Sequence, residues 1–259
     1  MSEDRLAHQD REVEFFDSVY GEGAYNPTGN RIKSERELRC ILRASPAGRL
    51  GRVLSIGCGD GEFERLLAPQ AEKVIALDIS PQAVEVAARL TDAQGIQNVD
   101  FECLSVFDLN WEERFDTVIC LAFLHHVPEA DIPSLLERVF QHLEPGGMLY
   151  SQDPNVKGLL RAVGRVVLGS HYDQYHTPDE RELDPDELRD SLRSAGFDSV
   201  EIIPIDLTVI PAMYMLAKWP GWILHVLAGV DRIFCASPLR RWASGFAAVS
   251  RKSGGGDPR

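Results

Sequence analysis

The chain has 259 residues, 44% apolar and 26% charged, which is ordinary for a globular protein with room for one sizeable core. Its formal net charge of −13 repels phosphate backbones, so a nucleic-acid partner is disfavoured. The cysteines Cys40, Cys58, Cys103, Cys120 and Cys235 show no C-x-x-C spacing, which argues against a zinc site or disulfide framework and for a reducing cytoplasm.

The first thirty residues hold no apolar signal-peptide core, so export is not expected. Residues 1–48 predict a helical N-terminal cap, with two helices split by the breaker-rich loop Gly21–Gly29. From Gly51 the pattern changes. Strands are expected at Arg52–Gly57, Lys73–Asp78, Val99–Cys103, Phe115–Leu121 and Met148–Gln152. Helices are expected at Glu62–Leu67, from Ser80-Pro81 onward, and near Asp131–His142. Ser80 is a good N-cap, and Pro81 suits the first helical position. This alternation implies βαβ units, a parallel sheet and right-handed crossovers. After Asp153 it breaks. A helix over Val156–Leu168 leads to a polar loop, 169–183, rich in His and Tyr. A helix from Asp184-Pro185 to Ala195 and a strand at Ser199–Leu207 follow, and Phe246–Arg251 is the last strand. Between those strands lies a very apolar stretch, 208–236. The expected organisation is a cap (1–48), a main domain (49–252) with a lid (154–183) and an apolar helical insertion (208–242), and a disordered tail (253–259).

The informative segment is Val53-Leu-Ser-Ile-Gly57-Cys58-Gly59-Asp60-Gly61, closing the first strand. Glycines at spacing two allow a sharp turn and close approach of a ligand. The turn falls at the carboxyl edge of the sheet, where open α/β folds bind ligands. The dinucleotide fingerprint Gly-x-Gly-x-x-Gly fails here, because its sixth position is Glu62. An acid there would face a pyrophosphate. A cofactor with a cationic amino-acid end and no phosphate suits the acidic loop better. Asp78 closes the second strand, 21 positions after Gly57, close to the spacing of an acid that binds ribose hydroxyls. A carboxylate can accept both hydrogen bonds of a diol.

These residues resemble the class I S-adenosylmethionine-dependent methyltransferase family. The glycine turn matches its first motif, and Ala76-Leu77-Asp78-Ile79-Ser80 its second. Phe115-Asp116-Thr-Val-Ile-Cys-Leu121 with Leu124-His125-His126-Val127 looks like its fourth-strand motif, and Leu143-Glu-Pro145-Gly146-Gly147 the entry to its fifth. The resemblance implies a doubly wound, Rossmann-like α/β fold. Its seven strands would be ordered 3-2-1-4-5-7-6, with strand seven antiparallel. It also implies S-adenosyl-L-methionine as cofactor, held by Gly57, Cys58, Gly59, Asp60, Gly61, Asp78, Ile79, Ser105, Val106 and Leu121. Ser105 stands where many members place an Asp for the adenine amino group. Its hydroxyl can accept that hydrogen bond without charge assistance, with Asp108 as the alternative. Tyr20, with Tyr25 and Arg31, is the candidate to close over the cofactor.

Methyl transfer from a sulfonium is an in-line displacement, so alignment is the main task. A base is needed only if the acceptor must lose a proton. His125 and His126 follow the fourth strand and are candidate bases or orienting donors, against a purely structural role. Asp153, in Asp153-Pro154-Asn155, is another candidate base, against turn chemistry. That tripeptide is not the Asn-Pro-Pro-Tyr motif of amino-group methyltransferases, which would follow strand four. Tyr172 and His176, in the run His171–His176, are candidate acceptor-side groups, against a polar surface loop. No metal is expected.

Two features point to a lipophilic acceptor. Lys157, Arg161 and Arg165 recur at i, i+4, i+8 as a basic stripe on an otherwise apolar helix, a pattern that suits a membrane surface or a solvated lid. Lys218–Arg259 carries seven basic and two acidic side chains, +5, leaving −18 for the rest. The apolar stretch is broken by Pro211, Lys218, Pro220, His225 and Asp231, so a single transmembrane helix is not expected. An interfacial hairpin, a hydrophobic lid, a dimer interface and added core all remain open. Arg232, Arg240 and Arg241 with Trp242 fit a headgroup-level belt. The function expected is methyl transfer to an oxygen or carbon of a small, lipophilic acceptor in the cytoplasm. Peripheral membrane contact and a homodimer are the further partner readings. The alternative is a non-catalytic cofactor-binding or assembly subunit.

Overall fold

The computed structural model describes residues 3–22, 27–45, 48–168, 180–209 and 220–254. Helices α1 (Glu3–Glu22) and α2 (Pro27–Ala44) come first. Then β1 (Arg52–Ile56), α3 (Glu62–Leu67), β2 (Lys73–Asp78), α4 (Pro81–Ala93), β3 (Val99–Cys103) and β4 (Phe115–Leu121) alternate. They are followed by α5 (Ile132–His142), β5 (Leu143–Pro154), α6 (Leu159–Leu168), α7 (Pro185–Ser194), β6 (Ser199–Ile205), α8 (Gly221–Cys235) and β7 (Gly245–Arg251).

The strands form one sheet in the order β3-β2-β1-β4-β5-β7-β6. β1 to β5 pair in parallel, and β7 runs antiparallel between β5 and β6. This is the doubly wound arrangement expected from the sequence. The order reverses at β1, which lies between β2 and β4. The crevice beyond that reversal is where such sheets bind ligands.

Successive side chains alternate between the two faces of the sheet. Leu54, Ile56, Leu77, Val118 and Cys120 pack on Leu135 and Leu136 of α5 and Leu188 and Leu192 of α7. Val53, Val74, Ala76, Ile119 and Met148 pack on Ile41 of α2 and on Phe63 and Leu67 of α3. Because both faces are covered, the central strands are nearly continuous apolar runs.

Several boundaries differ from the sequence expectation, among them the start of β5 at Leu143 and of α6 at Leu159. β5 runs past Gln152, because Asp153 and Pro154 pair with Phe246 and Gly245 of β7. β6 stops at Ile205, because Asp206 turns the chain with φ of 58°. The apolar insertion contains α8 and then a short 3-10 turn, Pro238–Trp242. Ser253 N donates to Asp198 Oδ2 at 2.6 Å, and residues 255–259 of the expected tail lie outside the described residues.

Of the expected basic stripe, Arg161 is turned inward and Lys157 stays exposed but paired. Arg161 is 9% exposed, and its Nε donates to Ser244 O at 3.0 Å while Nη1 reaches Glu182 at 3.2 Å. Lys157 pairs with Asp184 and Asp186, each at 2.8 Å. The Arg165 side chain lies outside the described residues. Leu159, Val163 and Val166 face outward instead. Among the described residues no helix is long and apolar enough to cross a membrane.

Candidate functional site

The carboxyl edge of the sheet opens into a cavity of about 680 Å³, within the usual range for a small-molecule site. Its floor is the glycine turn between β1 and α3. Gly57, Gly59 and Gly61 take φ of 74°, 54° and 71°, a left-handed region that side-chain-bearing residues rarely enter. A methyl at Gly57 would come within 2.6 Å of the Phe123 ring. Gly57 N and Cys58 N both donate to Leu77 O, at 2.8 and 3.0 Å. The end of β2 therefore fixes the turn.

Asp78 locks the same junction. Its Oδ2 accepts Gly59 N at 2.8 Å, and its Oδ1 accepts Ser80 N at 3.0 Å. Burial raises its pKa, while the backbone donors act against that rise. Each carboxylate oxygen keeps acceptor capacity for a ligand diol. Gly57, Cys58, Gly59, Asp60, Asp78 and Ile79 all border the cavity, as do Ser105, Val106 and Leu121. Gly61 is not on its wall; a methyl there would meet Phe101 at 2.7 Å. Its role is to let α3 start close to the sheet.

Ser105 carries a different hydrogen-bond load from the one expected. Its Oγ accepts Gln9 Nε2 at 2.8 Å and Phe107 N at 3.3 Å. Both lone pairs are thus engaged, and the hydroxyl's remaining capacity is as a donor. It suits a ring nitrogen of adenine better than an amino group. Asp108 does not line the cavity.

α1 roofs the cavity with His8, Gln9, Glu12, Phe15 and Phe16. It is tied down by an Arg5–Asp131 ion pair, by Asp17 accepting from Ser80 Oγ, and by a 2.7 Å contact of His8 Nε2 with His126 O. Tyr20 belongs to α1, but its side chain lies outside the described residues. Glu64, on α3, is 2% exposed and reaches the cavity. Its Oε1 accepts Ser55 Oγ at 2.6 Å, and its Oε2 has no protein partner. Burial raises its pKa to about 7. Lys33 of α2 lines the same cavity, and burial lowers its pKa. Glu64 and Lys33 give the cavity a carboxyl and an amino group, the two partners that a zwitterion needs.

β4 delivers the candidate catalytic groups. Ala122 ends it with φ of 51°, a strained conformation for a residue with a Cβ, and turns the chain into Phe123 and the short 3-10 turn Leu124–His126. His125 and His126 both line the cavity. His125 Nδ1 lies 2.9 Å from Asp153 Oδ1, which also accepts His125 N at 3.2 Å. That contact favours the Nδ1–H tautomer, and Glu180 Oε1 is 3.6 Å from Nε2. Asp153 is fully buried and does not border the cavity. Burial pushes its pKa up to about 7, against the pull of the His125 N–H. It stands behind His125 and has no direct reach to an acceptor. His126 is engaged differently: its Nδ1 is 3.1 Å from Glu12 Oε2, and Phe16 packs edge-on to its ring with centroids 5.2 Å apart. Tyr172 and His176 lie outside the described residues.

Sequence reasoning missed Gln9, Glu12, Lys33, Glu64 and Glu180. It also missed a grouping that could hold a divalent cation. His125, His126 and Glu180 offer ligand atoms all within 4.8 Å of one another, a two-histidine, one-carboxylate set.

Residues 53–147 match the methyltransferase-domain family. The chain is 34% identical over 163 residues to the ubiquinone biosynthesis O-methyltransferase of Xanthomonas axonopodis pv. citri (strain 306), covering 60% of this chain and 64% of that one. It thus spans just under two thirds of that relative's length. In structure it is similar to DhpI in complex with S-adenosylhomocysteine, with TM-score 0.59, 18% identity and coverage of 97% and 98% of the two chains. It is also similar to the N-methyltransferase NodS from Bradyrhizobium japonicum WM9 in complex with S-adenosyl-L-homocysteine, with TM-score 0.55, 15% identity and coverage of 84% and 86%.

Proposed function

We propose that this chain, whose residues 53–147 match the methyltransferase-domain family, is a class I S-adenosylmethionine-dependent methyltransferase that moves the methyl group of that cofactor to an oxygen of a small, lipophilic acceptor. One observation carries the reading. The turn locked by the Gly59–Asp78 hydrogen bond and the imidazole of His125 border one cavity. Donor and acceptor can therefore lie in line between them. The choice of oxygen follows the relative named for O-methyl transfer in ubiquinone biosynthesis.

The residues divide the work. Asp78 accepts the ribose diol, Ser105 donates to the adenine, and Glu64 with Lys33 receives the amino-acid end. The acceptor hydroxyl gives its proton to His125 Nε2 as its oxygen attacks the methyl carbon and the carbon–sulfur bond breaks. The sulfonium charge disappears as the imidazolium charge forms. Asp153, 2.9 Å behind the ring, holds its orientation and stabilises that cation. A lipophilic acceptor resides in a bilayer, so peripheral contact with a membrane is part of the proposal, in preference to a free homodimer. A non-catalytic subunit has no use for the His125–Asp153 pair, and that reading is not favoured.

A second reading has its own support in the cluster of His125, His126 and Glu180. A divalent cation held there would bind the acceptor oxygen and lower its pKa directly, and His125 would be a ligand instead of a base. Calorimetry with S-adenosylmethionine, then turnover with labelled cofactor in the presence and absence of a chelator, tests both. Loss of turnover on chelation, restored by a divalent cation, selects the second reading; unchanged turnover selects the first. Absence of cofactor binding overturns the transfer reading.

A further inference from the structure

α8 turns an apolar stripe to the outside. Trp222, Val226, Val230 and Ile233 recur at i, i+4, i+8 and i+11, which places them on one side of the helix. They are 68%, 57%, 44% and 76% exposed. This outward roll is imposed by the other side. Leu224 and Asp231 are buried, and Asp231 Oδ1 accepts Thr208 N at 2.8 Å and Thr208 Oγ1 at 2.7 Å. The stripe continues into the Pro238–Trp242 turn, where Leu239 and Trp242 are exposed.

Among the described residues of α8 and the turn, the exposed charges have one sign. Arg232, Arg240 and Arg241 are exposed, and Arg241 stacks on the Trp242 ring with its guanidinium 4.7 Å from the centroid. The helix's only acid, Asp231, is buried and hydrogen-bonded. In a chain of net charge −13, the described surface of this helix and turn sets apolar and aromatic groups beside arginines and no exposed acid. A second copy is a poor occupant, because a two-fold interface would set the arginine-bearing patch against itself. A surface of anionic headgroups over acyl chains matches both halves of the pattern.

The patch is joined to the active site through the sheet. The turn after α8 leads into Ala243 and Ser244, which receive Asn155 Nδ2 at 2.9 Å and Arg161 Nε at 3.0 Å. The next residues, Gly245 and Phe246, pair with Pro154 and Asp153, and Asp153 holds His125. α6 begins against this same segment, with Leu159, Val163 and Val166 exposed along it.

We propose that the outer face of α8 and the Pro238–Trp242 turn, extended by α6, docks the protein on an anionic bilayer, with the turn leading into the sheet at the same carboxyl edge as the cavity. Docking itself does not depend on the transfer reading; the idea that the acceptor is drawn from the bilayer does. The test is co-sedimentation of the full chain with phosphatidylcholine vesicles and with vesicles containing phosphatidylglycerol, with tryptophan emission read on the same samples. Binding is expected on the anionic vesicles, weakened by salt, with emission shifted to the blue. The double variants Trp222→Ala/Ile233→Ser and Arg240→Glu/Arg241→Glu are expected to reduce vesicle partition by about tenfold or more. All four positions are exposed, so cofactor affinity should be unchanged. Absence of binding to either vesicle overturns the proposal. So does a concentration-dependent dimer that the same variants dissolve. Docking that persists in a chain with no transfer activity would end the transfer reading and leave this one standing.

Discussion

Asp153 stands directly behind His125, with Oδ1 2.9 Å from the ring Nδ1 and 3.2 Å from the same residue's backbone N. One buried oxygen thus fixes both the position of the segment and the tautomer of the ring. His125→Ala is expected to lower kcat by about 10²–10⁴, the usual contribution of a positioned base. Asp153→Asn should lower kcat as well, by less, because the ring remains and only its orientation suffers. Calorimetric cofactor affinity should be native in both. A fall in affinity that matches the fall in kcat would assign the pair to binding instead.

The turn is tested through Asp78 and Gly57. Asp78→Ala removes the acceptor for Gly59 N and Ser80 N along with the proposed diol partner. Two hydrogen bonds to a charged group, each worth about 1.5–3 kcal/mol, correspond to a loss of affinity of at least about 10²-fold. Gly57→Ala imposes both an unfavourable φ of 74° and a 2.6 Å approach to Phe123, and should also abolish binding. Native affinity in either variant would place the cofactor elsewhere.

Glu64 makes pH a probe of the proposed ammonium subsite. Burial raises its pKa from 4.5 to about 7. The folded chain therefore holds this proton over a range where the unfolded chain has lost it. The resulting stability is complete below about 4.5 and disappears as the pH rises through about 7. Cofactor affinity should run the opposite way, rising through about 7 as the carboxylate ionises to face the ammonium. Thermal unfolding and calorimetry across pH, on the native chain and Glu64→Gln, read both trends. If Glu64→Gln keeps the native pH slope of affinity, Glu64 is not the ammonium's partner.

Ser80 serves two elements. Its Oγ accepts Ala83 N at 3.0 Å as the cap of α4 and donates to Asp17 of α1. Ser80→Ala should cost about 1 kcal/mol through the lost cap and also release α1. Faster limited proteolysis within α1, together with weaker cofactor binding, is the expected signature. A loss of stability with α1 as protected as before would confine Ser80 to capping.

The sheet and its switch point were legible because both depend on local chemistry. Strand segments such as Val74–Leu77 and Val118–Leu121 are continuous apolar runs, and the turn needs glycine at fixed spacing. Helical spacing misled at Arg161. It shows which residues share a side of a helix and not which side faces the protein, and Ser244 O with Glu182 drew this arginine inward. Gln9, Glu12 and Lys33 were illegible for a related reason. They reach the cavity only because α1 and α2 fold over strands far along the chain, and no local pattern encodes that. Glu62 and Glu64 are two acids in one short helix. Only the packing of α3 against Ser55 decides which is buried.

The Phe123 ring fills the space that a side chain at Gly57 would need, and two residues later the same backbone presents His125. The donor pocket and the proton acceptor therefore share a mechanical joint. A change that widens the turn for a bulkier nucleoside would displace the imidazole as well. Re-engineering this protein for a modified methyl donor would have to begin at the aromatic ring and reach the glycines afterwards.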